Sequence, residues 1–521
     1  MADENQATET QRQAPLSGRR MIVCSESKID KANVVDVIGR TEAACAVNSY
    51  ECERLHGYFL GRQPVLNREK AVRSEINNPV VENRAYEIVK WKTGNLVGEP
   101  ISYSARASAK APEPELGQSD ARVRADADTS HWVQQLNDEC IRAGKHRADV
   151  EIAQWAYICG LGYRLVLPGD MHGDGPRFKI TALDPRSTFV VYDNTPFHEP
   201  LYAMTWVKDE VTGQRRTSVY TKDRFFEWDG GDNRVVDAPN PLNMIPIIEY
   251  DANPERMGVF EPAITLLDAI NETESNRVDG VAQFVQALMV FTNVDFDKSD
   301  LQEMLALGAV KIYSTEGNKA SVELLTAQLD QQQTETLVSH LYKAVLSITG
   351  MPQNQGGGAS TSDTGQAVAL RDGWSSAESR AKETEGMFKD AERRFLKAAL
   401  LCMSVADKGF NLTEEQVEVK FTRRNYEAIQ SKTQVLTTML GSDKIDPRLA
   451  FIHSGMFSDP EAAYDASRAY VEERERKARE IASAAQKTVT PAQGGGNGDA
   501  GDGAPVANDN GDGDATPVNK A

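Results

Sequence analysis

Few residues of this chain have the types and spacing that chemistry requires. The first candidate is GMPQNQGGGASTSDTGQAVALRDGW, residues 350–374, a glycine-rich and almost uncharged stretch between two helical patterns. A glycine run ahead of a helix can cradle a phosphate on its backbone N–H groups. It can equally be a hinge, or a flexible finger pointing into a cavity. A nucleotide-binding loop needs G-x-x-x-x-G-K-[ST], because a lysine has to reach the phosphates. Residues 356–365 hold glycines but no lysine, and they follow a helical pattern rather than a strand. GLG at 160–162 lacks the third glycine of a dinucleotide fingerprint.

The other motifs are weaker. S-x-x-K occurs at Ser25–Lys28 and at Ser379–Lys382, once near the chain start and once inside a charged helical run; chance explains both better than a nucleophile does. NDNGDGD in the tail lacks the ligand spacing and terminal Glu of an EF-hand loop. Neither H-E-x-x-H nor G-x-S-x-G occurs. No catalytic residue, metal ligand or cofactor is therefore assigned, and the chain does not read as an enzyme.

Composition narrows the class. The chain has 521 residues, 40% hydrophobic and 26% charged, which suits two to four folded domains. A net charge of −19 argues against a protein that grips nucleic acid through a basic surface, though not against one that lets it slide past. Cys24, Cys45, Cys52, Cys140, Cys159 and Cys402 form no C-x-x-C pair and read as reduced structural thiols. The start has no signal-peptide layout, and FVQALMVF (284–291) is too short to span a bilayer. The expectation is a soluble, intracellular protein.

The elements that would position any site divide into blocks. Residues 1–18 are polar, and helical spacing flanks GYFLGRQPVLNREK (57–70). VVENRAYEIVKWKTGNLVG (80–98) predicts a helix and PISYSA a short strand. Residues 106–130 read as a mobile loop, and 131–159 as one helix. From Gly160 to about Tyr250 the period changes to alternation: GYRLVLP, RFKITALD, TFVVYDN, LYAMTWVKD, RRTSVYT and RFFEWDG predict an antiparallel meander, closed by IPIIEY. Ile264, Leu267 and Ile270 then make an apolar helical stripe, and Val278, Val281, Phe284, Val285 and Leu288 a second. NETESNR (271–277) between them is polar all round and predicts a face turned to water or another subunit. AVKIYS (309–314) is a strand candidate. Leu337, Leu341, Val345 and Ile348 define a helix stopped by Gly350 and Pro352.

The strongest periodicity follows. Asp363 with Gln366 forms a capping-box pattern. Ala367, Leu370, Trp374, Ala377, Ala381, Thr384, Phe388, Ala391, Phe395, Ala398, Cys402 and Val405 then recur at spacings of three and four. At 1.5 Å per residue such a helix would be roughly 65 Å long. Gly373 and Gly386 interrupt it as candidate hinges. VEVKFTR (417–423) predicts a strand, helices continue to about Lys487, and an acidic Gly/Asp-rich tail ends the chain.

Several blocks, in order, resemble the portal proteins of tailed bacteriophages, the siphovirus-type head-to-tail connector family. They are YFLGRQPVLNR (58–68) with NNPVVENRAYEIVKWKTGNLVGEPISY (77–103); AQWAYICGLGYRLVLP (153–168) with LDPRSTFVVYDN (183–194); residues 245–291; the glycine loop with the long helix; and VEVKFTRRN with SDPEAAYDASRAYVEERE. The loop at 106–130, residues 291–330 and the acidic tail depart from the family pattern.

The resemblance implies an α+β fold: a portal-like subunit with a mixed wing, helical stem, small clip, long kinked helix and helical crown. Its divisions would be a disordered N-terminus (1–18), wing (19–255), first stem helix (256–290), clip (291–330), second stem helix (331–349), tunnel loop (350–363), long wing helix (364–407), crown (408–487) and disordered tail (488–521). Gln353, Asn354, Gln355, Gly356, Gly357, Gly358, Ser360, Thr361 and Ser362 would face DNA in a channel. The resemblance further implies a homo-oligomeric ring, usually a dodecamer, at one capsid vertex of the virion, assembled in the host cytoplasm. Double-stranded DNA passes through during packaging and ejection. Partners would be the terminase large subunit, the major capsid and scaffolding proteins and a head–tail adaptor, with no membrane and no cofactor. A non-channel phage adaptor or scaffold, and a DNA-processing enzyme, are the alternatives.

Overall fold

The computed structural model describes residues 18–487, except 27, 72, 107–118, 171–172, 231, 286–287, 293–320, 326–330, 354–373, 423–428, 443 and 458–459. The fold is mixed α+β. It divides into two units, Met1–Thr438 and Met439–Ala521.

Strand β1 (Ile22–Cys24) leads into α1 (Val34–Phe59), whose approach is turned by the Asp30 carboxylate accepting the N–H groups of Ala32 and Asn33 at 2.9 and 3.2 Å. A short 3-10 turn, Pro64–Asn67, and an irregular strap reach α2 (Arg84–Val97), capped by the Asn83 side chain on Tyr86 N–H. Strand β2 (Ser102–Ala105) follows. The single helix expected at 131–159 is two helices, α3 (Ser119–Arg142) and α4 (Lys145–Cys159). Gly144 sits at φ 69, in the left-handed region, where a right-handed helix cannot continue. Helix α3 also occupies part of the stretch expected as a loop at 106–130.

The alternating region forms two sheets rather than one meander. Strands β3 (Leu161–Pro168), β4 (Phe178–Leu183) and β10 (Ile247–Asp251) make a three-stranded antiparallel sheet in the order β10-β3-β4. Strands β5 (Thr188–Asp193), β6 (Pro200–Lys208), β7 (Arg215–Thr221), β8 (Arg224–Asp229) and β9 (Asp232–Pro239) form an antiparallel meander. β1 joins it parallel to β5, a long-range pairing that no local pattern announces.

Period-two alternation sorts the side chains into layers. Phe189, Val191, Tyr202, Met204 and Val219 pack with Val34, Val37 and Ile38 of α1. Val190, Tyr192, Ala203 and Tyr220 pack with Leu161, Tyr163 and Ile247 of the smaller sheet. The outer face of that sheet meets a larger core shared with the helices. The sheet enters at Gly160, φ 88, where a Cβ would lie 2.0 Å from Arg256 O, so only glycine fits there.

A 3-10 turn, Glu261–Ala263, opens α5 (Ile264–Val285), followed by β11 (Leu288–Thr292), β12 (Ser321–Leu325) and α6 (Gln331–Thr349). Helix α7 (Trp374–Ala406) buries Ala377, Ala381, Phe388, Ala391, Phe395, Ala398 and Cys402 of the expected seam, whereas Val405 is exposed. β13 (Val417–Lys420) pairs antiparallel with β2, and α8 (Ile429–Leu440) follows. In the second unit, α9 (Pro447–Ser454) packs against α10 (Pro460–Lys487) through Phe451 and Tyr464, with ring centroids 5.8 Å apart. The strand candidate at 309–314, the Asp363 cap and the two chain ends lie outside the described residues.

Candidate functional site

Strand β11 pairs antiparallel with β12, so α5 and α6, which pack on each other, form the two limbs of one long hairpin. Ile264, Leu267 and Ile270 of α5 meet Val345 and Leu346 of α6 in the main core.

Only part of the polar middle of α5 faces water. Asn271, Ser275 and Asp279, spaced by four, are buried along one side of the helix and hold the strap that precedes α2. Glu82 N–H donates to Asn271 Oδ1 at 2.8 Å, and Val80 N–H to Ser275 Oγ at 2.9 Å. Asp279 Oδ1 accepts Asn78 N–H at 2.8 Å and Asn78 Nδ2 at 2.9 Å; its Oδ2 accepts Arg68 Nη2 at 2.7 Å and Lys70 Nζ at 3.0 Å. Nearer the start of α5, Tyr58 donates to Asp268 and Asn271 to Gln63. An irregular strap has no ladder to satisfy its N–H groups, and the polar stripe of α5 supplies acceptors for them. Burial works against the Asp279 charge, but the Asn78 N–H and Lys70 keep its carboxyl below the ordinary aspartate value. The expectation that NETESNR, polar all round, faces water or another subunit is corrected for one side of the helix: Asn271 and Ser275 are core, while Glu272 and Asn276 are exposed.

The far limb ends where the sequence places a stop. Gly350, φ 66, closes α6, with Gly350 N–H on Ser347 O at 3.2 Å and Met351 N–H on Leu346 O at 2.8 Å. Arg380 of α7 donates from Nη1 to Ile348 O at 2.6 Å, and Gln353 Nε2 donates to Lys343 O at 3.4 Å. Lys92 of α2 is half-buried beside Arg380; burial, then that like charge, push its ammonium down to about 8.

The anchoring of α7 rests on residues that no sequence motif singles out. Glu392 is fully buried. Its Oε1 accepts Arg164 Nη1 at 2.9 Å and Tyr250 OH at 2.9 Å, and its Oε2 accepts Tyr103 OH at 2.6 Å and lies 3.1 Å from Lys145 Nζ. Lys145 also donates to Asp149 Oδ2 at 2.7 Å, and Arg164 to Asp149. Burial opposes the Glu392 charge, but Arg164, then Lys145 and the two hydroxyls, bring it down to about 2. The network ties α4, β2, β3 and β10 to α7. The sequence signal for it is an acid at a core register: 388, 392, 395, 396 and 399 share one helical face, apolar except at Glu392.

Of the expected channel residues, only Gln353 is among the described ones, at the root of the loop. Asn354, Gln355, Gly356, Gly357, Gly358, Ser360, Thr361 and Ser362 lie outside them, as does Gly373. Helix α7 runs without a break through Gly386, where a Cβ would meet nothing within 4 Å. Among the described residues no group of three or more His, Cys, Asp or Glu side chains is placed to hold a metal, and no helix is long and apolar enough to cross a membrane.

The buried charges among the described residues fasten elements together, and the hairpin ends at Gly350, where the glycine-rich stretch begins. The chain belongs to the phage portal protein family: the model for phage portal proteins, SPP1 Gp6-like, matches residues 48–487. That family is structural rather than enzymatic. No curated protein matches the chain.

Proposed function

We propose that copies of this chain form a ring, usually dodecameric in such proteins, at one vertex of a phage capsid, and that the genome enters and leaves through its central channel. In this reading α5 and α6 are the stem and the residues between them the clip, where the terminase large subunit docks during packaging and a head–tail adaptor afterwards. The capsid and scaffolding proteins meet the outside of the ring. Residues 350–363 form a tunnel loop, with Gln353 through Ser362 touching DNA, and Gly373 and Gly386 let the long helix bend. Residues 408–487 form the crown.

The observation that carries the reading is the α5–α6 hairpin. It delivers the chain at Gly350 to an uncharged Gln/Asn/Gly/Ser/Thr segment, in a family match that spans both limbs. The hairpin also leaves Val281 56% and Leu337 49% exposed, apolar surface of the kind that subunit interfaces cover. The charge balance fits the task. Each Lys or Arg on a phosphate adds affinity through counterion release, so a chain of net charge −19 limits the grip on sliding DNA. At physiological salt the Debye length is about 8 Å, so wall charges act on nearby DNA only.

Negative-stain microscopy of the purified protein tests this. Annular particles with an open axial hole are the expected result. Closed rings would favour a non-channel adaptor, and small monomers or dimers at high concentration would overturn the ring.

A further inference from the structure

Helices α1 and α2 meet at a corner that hydrogen bonds hold in place. Asn83 joins the two ends: its Nδ2 donates to Phe59 O at 2.9 Å, and its Oδ1 accepts Tyr86 N–H and Gln63 Nε2, each at 3.2 Å. Gln63 Nε2 also donates to Tyr58 O at 3.1 Å. Gly61, φ 83, turns the chain after α1. This fixed corner nevertheless presents Leu60, Leu66 and Tyr86 to solvent, 53%, 48% and 47% exposed.

Behind those side chains the rings form a row. The Tyr86 ring stacks on Phe59 with centroids 5.2 Å apart, Phe59 on His56 at 6.3 Å, and His56 meets Trp155 of α4 at 4.9 Å. At one end the row reaches α6, where Glu87 of α2 accepts Tyr342 OH at 2.9 Å. At the other it reaches the turn before β5, where the Arg186 guanidinium lies 5.5 Å from the Trp155 ring centroid.

Rings interleaved with cations can serve nucleic acid or protein. The charges decide between them. Arg186 lies 2.6 Å from Asp184 Oδ2 and 2.5 Å from Glu53 Oε2, Arg84 is paired with Glu82 and Glu87, and Lys90 donates to Gln154 Oε1 at 2.7 Å. Both arginines would have to give up carboxylates before neutralising a phosphate. What remains is apolar surface on a pre-formed corner, with Tyr, Trp and Arg around it, the combination that anchors protein–protein contacts.

We propose that the α1–α2 corner is a contact between neighbouring copies of this chain, anchored by Leu60 and Tyr86. This rests on the ring reading above, and adds a second contact to the one at Val281 and Leu337. A neighbour in a ring lies along the flank that runs from the α5–α6 hairpin into the sheets, and the row covers that span from Tyr342 to Arg186. A terminase or adaptor docked on the clip meets the other end of the hairpin.

The test uses the full chain, with L60E and Y86S and the control V211E, which changes a side chain 94% exposed between β6 and β7. Mass photometry across a dilution series gives the concentration at which half the protein is assembled. Each corner variant should raise it about tenfold or more, the effect of removing an interface anchor, while V211E leaves it unchanged. Urea midpoints of the dissociated subunits should match the unaltered protein, so that a folding defect is not read as lost contact. Hydroxyl-radical footprinting of the unaltered protein should show Leu60, Tyr86 and Trp155 losing reactivity on assembly and Val211 keeping it. Rings that form normally in both variants, with Leu60 and Tyr86 as reactive as in the free subunit, would overturn the contact while leaving the ring standing; the corner would then belong to another partner. Absence of rings in the unaltered protein would overturn the ring reading, and the neighbouring copy with it.

Discussion

Glu392 in the middle of α7 and Arg164 in β3 lie 228 residues apart in sequence and 2.9 Å apart in space, both sealed from solvent. Two cations and two tyrosine hydroxyls converge on that one carboxylate. Truncating it leaves Lys145 and Arg164 buried with fewer partners. Glu392→Ala should destabilise unit 1 by about 3–5 kcal/mol, the usual cost of stripping one partner from a buried ion pair. Urea unfolding followed by tryptophan fluorescence measures this; a loss under about 1 kcal/mol would show that the network is dispensable.

The same carboxyl sets an acid limit. Its pKa is 4.5 when unperturbed and about 2 in the fold, so the folded state favours the ionised form. The stability it contributes is complete above pH 4.5 and is lost as pH falls towards 2. Glu392→Gln should be less stable at neutral pH and lose less on acidification over that window, as read by thermal unfolding at a series of pH values.

Asp251 carries the opposite sign. Burial and then the neighbouring Glu249 charge, against Arg256, raise its carboxyl to about 7 from 3.8. The fold then holds a proton that the unfolded chain releases. Stability from this group is greatest below pH 3.8 and falls as pH rises to 7. Asp251→Asn should raise the melting temperature at pH 8 and leave it nearly unchanged near pH 4. A lower melting temperature at pH 8 would mean that the Arg256–Asp251 attraction outweighs the burial of charge.

The buried stripe of α5 can be probed where it meets the strap. Asn271→Ala removes the Asn271 Oδ1 that accepts Glu82 N–H and the Asn271 Nδ2 that donates to Gln63 Oε1. The expected cost is about 1–3 kcal/mol, with faster amide exchange confined at first to residues 76–83. Val281→Ser, on the exposed side, should leave the stability of the isolated subunit within about 0.5 kcal/mol and show its effect only in ring assembly.

Two glycine experiments separate structure from proposed motion. Gly386→Ala meets no steric obstacle and should stabilise α7 by about 1 kcal/mol; if Gly386 is a working hinge, DNA packaging should fall as melting temperature rises. Replacing Gly356, Gly357 and Gly358 by Val should impair packaging more than ring assembly. Intact rings that package normally would remove the tunnel-loop assignment.

What the sequence by itself determined follows from local physics. The apolar spacing around Ile264, Leu341 and Phe388 is enough to place α5, α6 and the core of α7, and period-two alternation places β3 to β8. Gly350 with Pro352 marks the end of α6, because backbone conformation at those residues is set by their own covalent structure. Order and spacing of motifs point to the portal family.

Tertiary structure alone decided the rest, because partners distant in the chain made the choice. Nothing near Ile22 says that β1 lies parallel to β5. NETESNR looks polar in one dimension, yet in three it splits into a buried stripe that binds a strap two hundred residues earlier and an outer face of charges. Glu392 looks like one more surface acid until folding brings Arg164, Lys145, Tyr103 and Tyr250 around it. A buried charge is stable only with its partners in place, and those partners are assembled by the fold.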